Sequence, residues 1–182
     1  MTYIKKVVTE LTTKKIYVIN GSGGVGKDTF VSFVSKQCNN KVANISSITP
    51  IKEIAKRIGW KGEKTEKDRK FLSDLKDLLT NYCDCSMNYI REQCIPFLGD
   101  KLYTGCNVMF IHIREPQEIQ KVVKEFDAKT ILITNKNVEQ VKSNHADAEV
   151  FNYKYDIQIS NDGSLEQLED MAKSFCEFEK LI

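Results

Sequence analysis

The sequence lacks the features of a membrane-embedded or secreted protein. No apolar run approaches the roughly 18 residues that a membrane span requires. The first 15 residues, MTYIKKVVTELTTKK, contain no apolar core followed by a small-residue cleavage site, so we expect no secretory signal. These absences predict a cytoplasmic protein with no membrane partner.

Closely paired cysteines are also absent. The six cysteines are scattered, none forms a CxxC pair, and only Cys83 and Cys85 stand near each other. Zinc sites usually show paired ligands at close spacing. We therefore interpret the cysteines as reduced thiols and not as a metal or redox centre.

An excess of one charge is missing as well. The chain carries 27 basic and 25 acidic side chains, a net charge of +2. A general nucleic-acid surface requires a strongly basic face. The balance predicts no nucleic-acid partner, and any anionic ligand must be held by a local site.

The pattern that is present is an alternation of strands and helices along 182 residues. Apolar runs predict strands at 16–19, 41–47, 106–113, 129–134 and 155–160. Amphipathic stretches predict helices at 29–37, 49–59, 61–79, 86–99, 116–126 and 165–182, with Pro96 and Gly99 closing the fourth and Ser164 as the N-cap of the last. This alternation is typical of an α/β protein with a parallel sheet covered by helices on both faces. Without a repeat or a linker, we expect one domain over 1–182.

One glycine-rich stretch carries the strongest functional signal. YVINGSGGVGKDTFVSFV (17–34) places GxxxxGK between a predicted buried strand and a predicted helix. Glycines let backbone amides approach phosphates closely, and the helix N-terminus adds partial positive charge. The predicted nucleotide-binding residues of this loop are Gly21, Ser22, Gly23, Gly24, Val25, Gly26, Lys27, Asp28 and Thr29.

Three side chains at the end of the loop have predicted roles in chemistry. Lys27 is the predicted catalytic cation that grips the outer phosphates. Asp28 stands where a magnesium-binding hydroxyl is usual, and a carboxylate is also a hard oxygen ligand. We therefore predict Asp28 and Thr29 as Mg²⁺ ligands; the alternative for Asp28 is a surface charge in the first helical turn.

The GKDT loop resembles that of P-loop kinases of the nucleoside and deoxynucleoside monophosphate kinase group, also seen in phosphomevalonate kinase-like proteins. The stretches SSITPIKEIAKRIGW, DRKFLSDLKDLL, VMFIHIREPQEIQKVVKEFDAKTILIT and YDIQISNDGSLEQLEDM resemble later segments of that family in the same order. The resemblance implies a three-layer α/β/α P-loop NTPase fold with a five-stranded parallel sheet. It also implies a helical acceptor-binding insert at about 60–100 and a short lid at about 135–150.

The same resemblance implies a substrate site. Arg69 corresponds to an arginine that holds the acceptor phosphate, and Arg114 to a catalytic arginine pointing into the same cleft. Lys52, followed by Glu53, would line the acceptor side, and Asn161 begins a turn near the donor base. Arg69 is alternatively a solvated helix charge. Arg114 follows a predicted buried strand, where α/β proteins bind ligands.

Two departures from the family stand out. His112 replaces an acid before the arginine, so a water-mediated magnesium contact would fall to Asp28, Glu115 or Asp100. The predicted lid contains no arginine and only Lys136, Lys142 and His145 as basic residues. Lid arginines stabilise charge on a moving phosphoryl group. The absence of lid arginines is therefore compatible with either an active kinase or a nucleotide-binding protein with weak or no transfer.

These observations predict an enzyme, a small-molecule kinase that uses ATP and Mg²⁺. The expected partner is a small-molecule phosphate acceptor, most plausibly a (deoxy)nucleoside monophosphate, and the expected state is a monomer or homodimer. Two alternatives stay open: a nucleotide-binding regulator with weak or no transfer, and a kinase for a mevalonate phosphate or a coenzyme precursor. The aromatic residues Trp60, Tyr82 and Tyr89 either stack on a base or belong to the core.

Overall fold

Five strands and six helices alternate in the computed structural model, which describes residues 14–63, 65–138 and 150–182. The strands are β1 (Lys15–Asn20), β2 (Val42–Ser46), β3 (Val108–His112), β4 (Lys129–Thr134) and β5 (Ile157–Ser160). The helices are α1 (Lys27–Gln37), α2 (Thr49–Arg57), α3 (Glu66–Cys83), α4 (Cys85–Leu98), α5 (Pro116–Phe126) and α6 (Leu165–Phe178).

The strands form one five-stranded sheet in the order β2-β3-β1-β4-β5. All four strand pairings are parallel, and β1 is the central strand between β3 and β4. In the register, Ile19 pairs with His112 and Asn20 pairs with Leu132. The carboxyl ends of the three central strands therefore meet at one edge of the sheet, where ligands of α/β proteins bind.

Helices cover both faces because the side chains of β1 alternate between two apolar clusters. Tyr17 and Ile19 point to the face covered by α1 and α6, whereas Ile16 and Val18 point to the face covered by α4 and α5. Continuous burial of both faces explains why the strands read as near-continuous apolar runs. The predicted three-layer α/β/α architecture with five parallel strands is thus confirmed.

Helix α4 corrects one detail of the sequence prediction. Pro96 was expected to end this helix together with Gly99, but α4 runs through Pro96 to Leu98. A proline in the last turn removes a single backbone hydrogen bond, and the fully buried Phe97 holds that turn against the core. Gly99 ends the helix as predicted, as its C-cap.

Most other boundaries lie within two residues of the predicted ones, but α3 begins five and ends four residues later than predicted, and α6 ends four residues earlier. Helix α6 starts at a capping box in which Ser164 accepts a hydrogen bond from the amide of Gln167 and the Gln167 side chain accepts one from the Ser164 amide.

Within the described ranges, no helix has the length and apolarity needed to cross a membrane. The six cysteines, all of them described, are free thiols.

Candidate phosphate-binding site

At two glycines the loop after β1 lies too close to neighbouring atoms for a side chain. Gly21 has φ of +144°, and a Cβ atom there would lie 2.3 Å from the carbonyl oxygen of Ile133 on β4. Gly26 has φ of +98°, and its Cβ would lie 2.5 Å from Nδ2 of Asn161. Both glycines therefore let the loop pack closely against neighbouring backbone and side chain.

Asn20 fixes where the loop begins, a role that the sequence pattern did not indicate. Its side chain is fully buried and its Oδ1 accepts a hydrogen bond of 2.7 Å from the amide of Gly21. Its Nδ2 donates to the carbonyl oxygen of Arg114 at 3.1 Å and to the hydroxyl of Tyr155 at 2.7 Å. Asn20 thus connects the loop to the end of β3 and to the segment before β5.

The backbone N–H groups of the glycine loop are available to a ligand. In the described part of the chain, the amides of residues 22–26 donate to no other backbone carbonyl, and the first helical bond runs from Phe30 to the carbonyl of Gly26 at 2.9 Å. Lys27 folds over the loop, and its Nζ donates to the carbonyls of Gly21 at 2.6 Å and Ser22 at 2.7 Å. Loop amides, a helix N-terminus and an ammonium group are together suited to binding phosphate oxygens.

The donor set at the start of α1 fits a divalent cation. Asp28 projects into solvent with 93% of its side chain exposed, and Thr29 follows it. Nε2 of His112 is buried without a hydrogen-bond partner among the described residues, 3.7 Å from Oδ1 of Asp28. Burial lowers the pKa of His112 below its usual value; the Asp28 carboxylate opposes this, whereas Lys27 and Arg114 add to it. His112 is therefore neutral near pH 7, with a ring nitrogen available for a ligand.

Arg114 lies two residues beyond β3, beside the loop, and its backbone is held by Asn20. The positive charges of Lys27 and Arg114 both contribute to lowering the pKa of His112. The structure thus brings the two predicted catalytic cations to the same edge of the sheet. This convergence follows from the pairing of β3 with β1.

A buried ion cluster next to Arg114 was missed in the sequence. Lys76 of α3 is only 6% exposed and pairs with Glu115 and, at 2.9 Å, with Oε2 of Glu118. Burial, with the neighbouring Glu115, raises the pKa of Glu118 to about 7 although Lys76 opposes the shift. For Glu115 the ion pair with Lys76 outweighs burial, and its pKa is lowered. The cluster joins the predicted insert to the residues directly after Arg114.

Two of the three residues named as alternatives for the magnesium contact, Glu115 and Asp100, are engaged in ion pairs. Glu115 is engaged by Lys76. Asp100 pairs with Nζ of Lys14 at 2.7 Å, just before the first residue of β1. Asp100 therefore lies at the amino edge of the sheet, opposite the loop, and is wrong as a metal ligand. Among the described residues, no group of three or more acidic, histidine or cysteine side chains forms a complete metal site by itself.

The predicted acceptor residues lie on the two helices α2 and α3, which pack together. Lys52 is an exposed residue of α2, and Arg69 is a half-buried residue in the second turn of α3. The acceptor role of Arg69 stays a prediction. Tyr82 is 85% exposed, whereas Tyr89 packs against the core.

A cavity of about 260 Å³ adjoins the loop on the other side. Its lining residues are Ser22, Val25, Ile133, Thr134, Asn135, Lys136, Val138, Phe151, Ser160 and Asp162. Asn161 stands next to it, and its Nδ2 donates to the carbonyl of Val25 at 2.9 Å. Asn161 therefore supports the loop directly, while its predicted contact with a nucleotide stays a prediction. Phe151 and Asp162 were not singled out in the sequence.

The predicted lid falls mostly outside the described residues. Lys142 and His145 belong to 139–149, which lie outside the described ranges, so their predicted roles stay untested. Lys136 is described, and its amide donates to Oδ1 of Asp162 at 2.7 Å. This bond ties the start of the predicted lid to the turn after β5.

Comparison with known proteins leaves the family open. No protein-family model matches the chain, and no curated protein matches it. Among solved structures, the chain is similar to a shikimate kinase from Aquifex aeolicus vf5, with 15% identity, 92% of this chain and 98% of that chain covered, and a TM-score of 0.46. A likeness this weak carries no argument about activity, so the functional argument rests on the site itself.

Proposed function

We propose that the protein transfers the terminal phosphoryl group of ATP to a small phosphorylated acceptor, a (deoxy)nucleoside monophosphate. One observation carries the proposal: the amides of the loop, the ammonium of Lys27 and the backbone-anchored Arg114 converge at the carboxyl edge of the sheet. A polyphosphate is the ligand class that such a set of donors and cations would bind.

The chemistry follows from where charge develops. An acceptor phosphate oxygen forms the new bond to the terminal phosphorus, the bridging bond breaks, and its electron pair stays on the ADP product. An ionised phosphate needs no general base, so catalysis consists of positioning and charge stabilisation. Lys27 binds outer phosphate oxygens of the donor. Arg114 provides a planar fork that binds two oxygens of the transferring or accepting phosphate.

The residues around these two cations would position them. Asn20 holds the backbone of Arg114, and Asn161 holds the carbonyl of Val25. Asp28 and Thr29 would hold a Mg²⁺ ion, which neutralises phosphate charge when bound. The cavity of about 260 Å³ beside Ser22 would receive the base of the donor nucleotide.

The direct test is ADP release with ATP and a panel of nucleoside monophosphates, mevalonate phosphates and phosphorylated coenzyme precursors. The matched variants are Lys27→Ala and Lys41→Ala; Lys41 is exposed and precedes β2 at the opposite edge of the sheet. We expect acceptor-dependent turnover that falls by about 10²-fold or more in Lys27→Ala, because a preorganised charge is lost, and is unchanged in Lys41→Ala.

Two results would contradict the proposal. Failure of Mg²⁺–ATP to bind in calorimetry removes the nucleotide site altogether. Tight ATP binding without turnover on any acceptor would point instead to a nucleotide-binding regulator. Turnover restricted to a non-nucleotide acceptor would support the kinase activity but exclude a nucleoside monophosphate as the acceptor.

A further inference from the structure

The imidazole of His112 lies close to the carboxylate of Asp28 at the start of α1, but outside hydrogen-bond distance. The distance from Nε2 of His112 to Oδ1 of Asp28 is 3.7 Å. A hydrogen bond between these atoms would require about 3 Å, so they are too far apart to satisfy each other. Two adjacent ligands of an octahedral cation, each about 2.1 Å from it, lie about 3 Å apart, so a small turn of the exposed Asp28 carboxylate towards Nε2 lets both atoms bind one cation.

The surroundings of the pair supply the other conditions. Nε2 of His112 is buried and has no hydrogen-bond partner among the described residues, and such an atom is costly unless something binds it. The carboxylate of Asp28 is exposed, so a cation can enter from its side. Among the described residues, the charges of Asp28, Lys27 and Arg114 act on the pKa of the imidazole.

These charges also set when the cation binds. Lys27 and Arg114 repel a divalent cation, and one carboxylate does not outweigh two positive side chains. A bound polyphosphate brings the missing negative charge and further oxygen ligands. The cation should therefore bind together with the nucleotide and only weakly without it.

We propose that His112 provides a nitrogen ligand, beside an Asp28 oxygen, to the divalent cation that accompanies the nucleotide, and that the site therefore prefers Mn²⁺ to Mg²⁺. Imidazole binds first-row transition cations well, whereas Mg²⁺ prefers oxygen ligands and retains its waters. The proposal rests on the proposed nucleotide site, and it goes further by naming the cation and its ligands.

The experiment is pulsed electron paramagnetic resonance of Mn²⁺ bound with the methylene analogue of ATP, using protein whose histidines carry ¹⁵N. We expect a ¹⁵N coupling of the size of a directly bound imidazole. Adenine nitrogens, which remain ¹⁴N, cannot produce it. The sequence has one other histidine, so His145→Asn serves as the matched control; the coupling should persist there and disappear in His112→Asn.

A second measurement compares cations in the same nucleotide complex. We expect the ratio of Mn²⁺ to Mg²⁺ affinity to be at least tenfold higher in the unmodified protein than in His112→Asp, which replaces the nitrogen by oxygen. Circular dichroism of the His112 variants checks that they fold, while the labelled unmodified protein needs no variant at all.

The outcomes separate the two proposals. If calorimetry detects no nucleotide binding with either cation, the proposed function and this inference both fail. If the nucleotide binds but no ¹⁵N coupling appears, or the coupling survives in His112→Asn, only the inference is overturned. Equal Mn²⁺ to Mg²⁺ ratios in the unmodified protein and His112→Asp would overturn the stated preference.

Discussion

Asn20 donates from Nδ2 to the backbone carbonyl of Arg114 across 3.1 Å and so joins the first residue before the glycine loop to the cationic segment after β3. The same amide group donates to Tyr155, whose hydroxyl in turn donates to the carbonyl of Val150 at 2.7 Å. One buried side chain therefore links the glycine loop, the segment after β3 and the segment before β5. The relation gives the first prediction.

We expect Asn20→Ala to lower the free energy of unfolding by about 2–4 kcal/mol, because buried partners at Gly21, Arg114 and Tyr155 lose their hydrogen bonds together. The matched control is Asn44→Ala, an exposed position on β2. Urea denaturation followed by circular dichroism measures both. Equal stabilities for the two variants would show that Asn20 does not hold these segments.

Replacement of two loop glycines by alanine should affect the stability of the protein differently. At Gly21, a Cβ would lie 2.3 Å from the carbonyl oxygen of Ile133, and the backbone has positive φ, so Gly21→Ala should unfold at a markedly lower temperature. At Gly23, no atom of the described residues, apart from its two chain neighbours, lies within 4 Å of the new Cβ. Gly23→Ala should therefore keep the stability within about 0.5 kcal/mol. Thermal unfolding followed by circular dichroism compares the two variants. An unchanged unfolding temperature for Gly21→Ala would contradict the close packing of the loop.

The buried ion cluster predicts a strong effect of removing Lys76. Lys76→Met leaves Glu115 and Glu118 without their cation, which should cost about 3–5 kcal/mol at pH 8. Lys70 is a suitable control because it is 76% exposed and pairs with Asp74 only at the surface. Lys70→Met should change stability by less than about 1 kcal/mol. If chemical denaturation gives similar values for both variants, the cluster does not stabilise the packing of α3 against α5.

Glu118 makes a pH-dependent contribution whose sign follows from its raised pKa. The folded protein holds the proton of Glu118 up to about pH 7, whereas an unfolded glutamate loses it near 4.5. The stabilisation is therefore complete below about pH 4.5 and is lost as the pH rises through 7. Glu118→Gln keeps a neutral side chain at every pH.

The stability of Glu118→Gln relative to the unmodified protein should thus rise between pH 5 and pH 8, by up to about 3 kcal/mol. Urea denaturation at several pH values gives the difference. Glu115 has a lowered pKa, so its contribution is lost below about pH 4.5, outside this window. A difference that stays constant from pH 5 to 8 would mean that Glu118 is ionised throughout.

Local patterns in the sequence determined the secondary structure and the loop. The apolar runs predicted all five strands, and the spacing of Gly21, Gly26 and Lys27 between a strand and a helix predicted the shape that the loop adopts. Such features depend on residues within a few positions of each other, so they can be read from the chain directly. Pro96 is the exception, because burial of Phe97 outweighs the local preference of a proline to end a helix.

Tertiary structure alone decided which polar groups meet. Lys76 and Glu118 are 42 positions apart, and Asn20 and Arg114 are 94 positions apart, yet each pair is in hydrogen-bond contact. His112 reaches Asp28 only because β3, though third in the sequence, lies directly beside β1. No local pattern encodes strand order or the burial of an individual charge, since both depend on how the helices pack against the completed sheet.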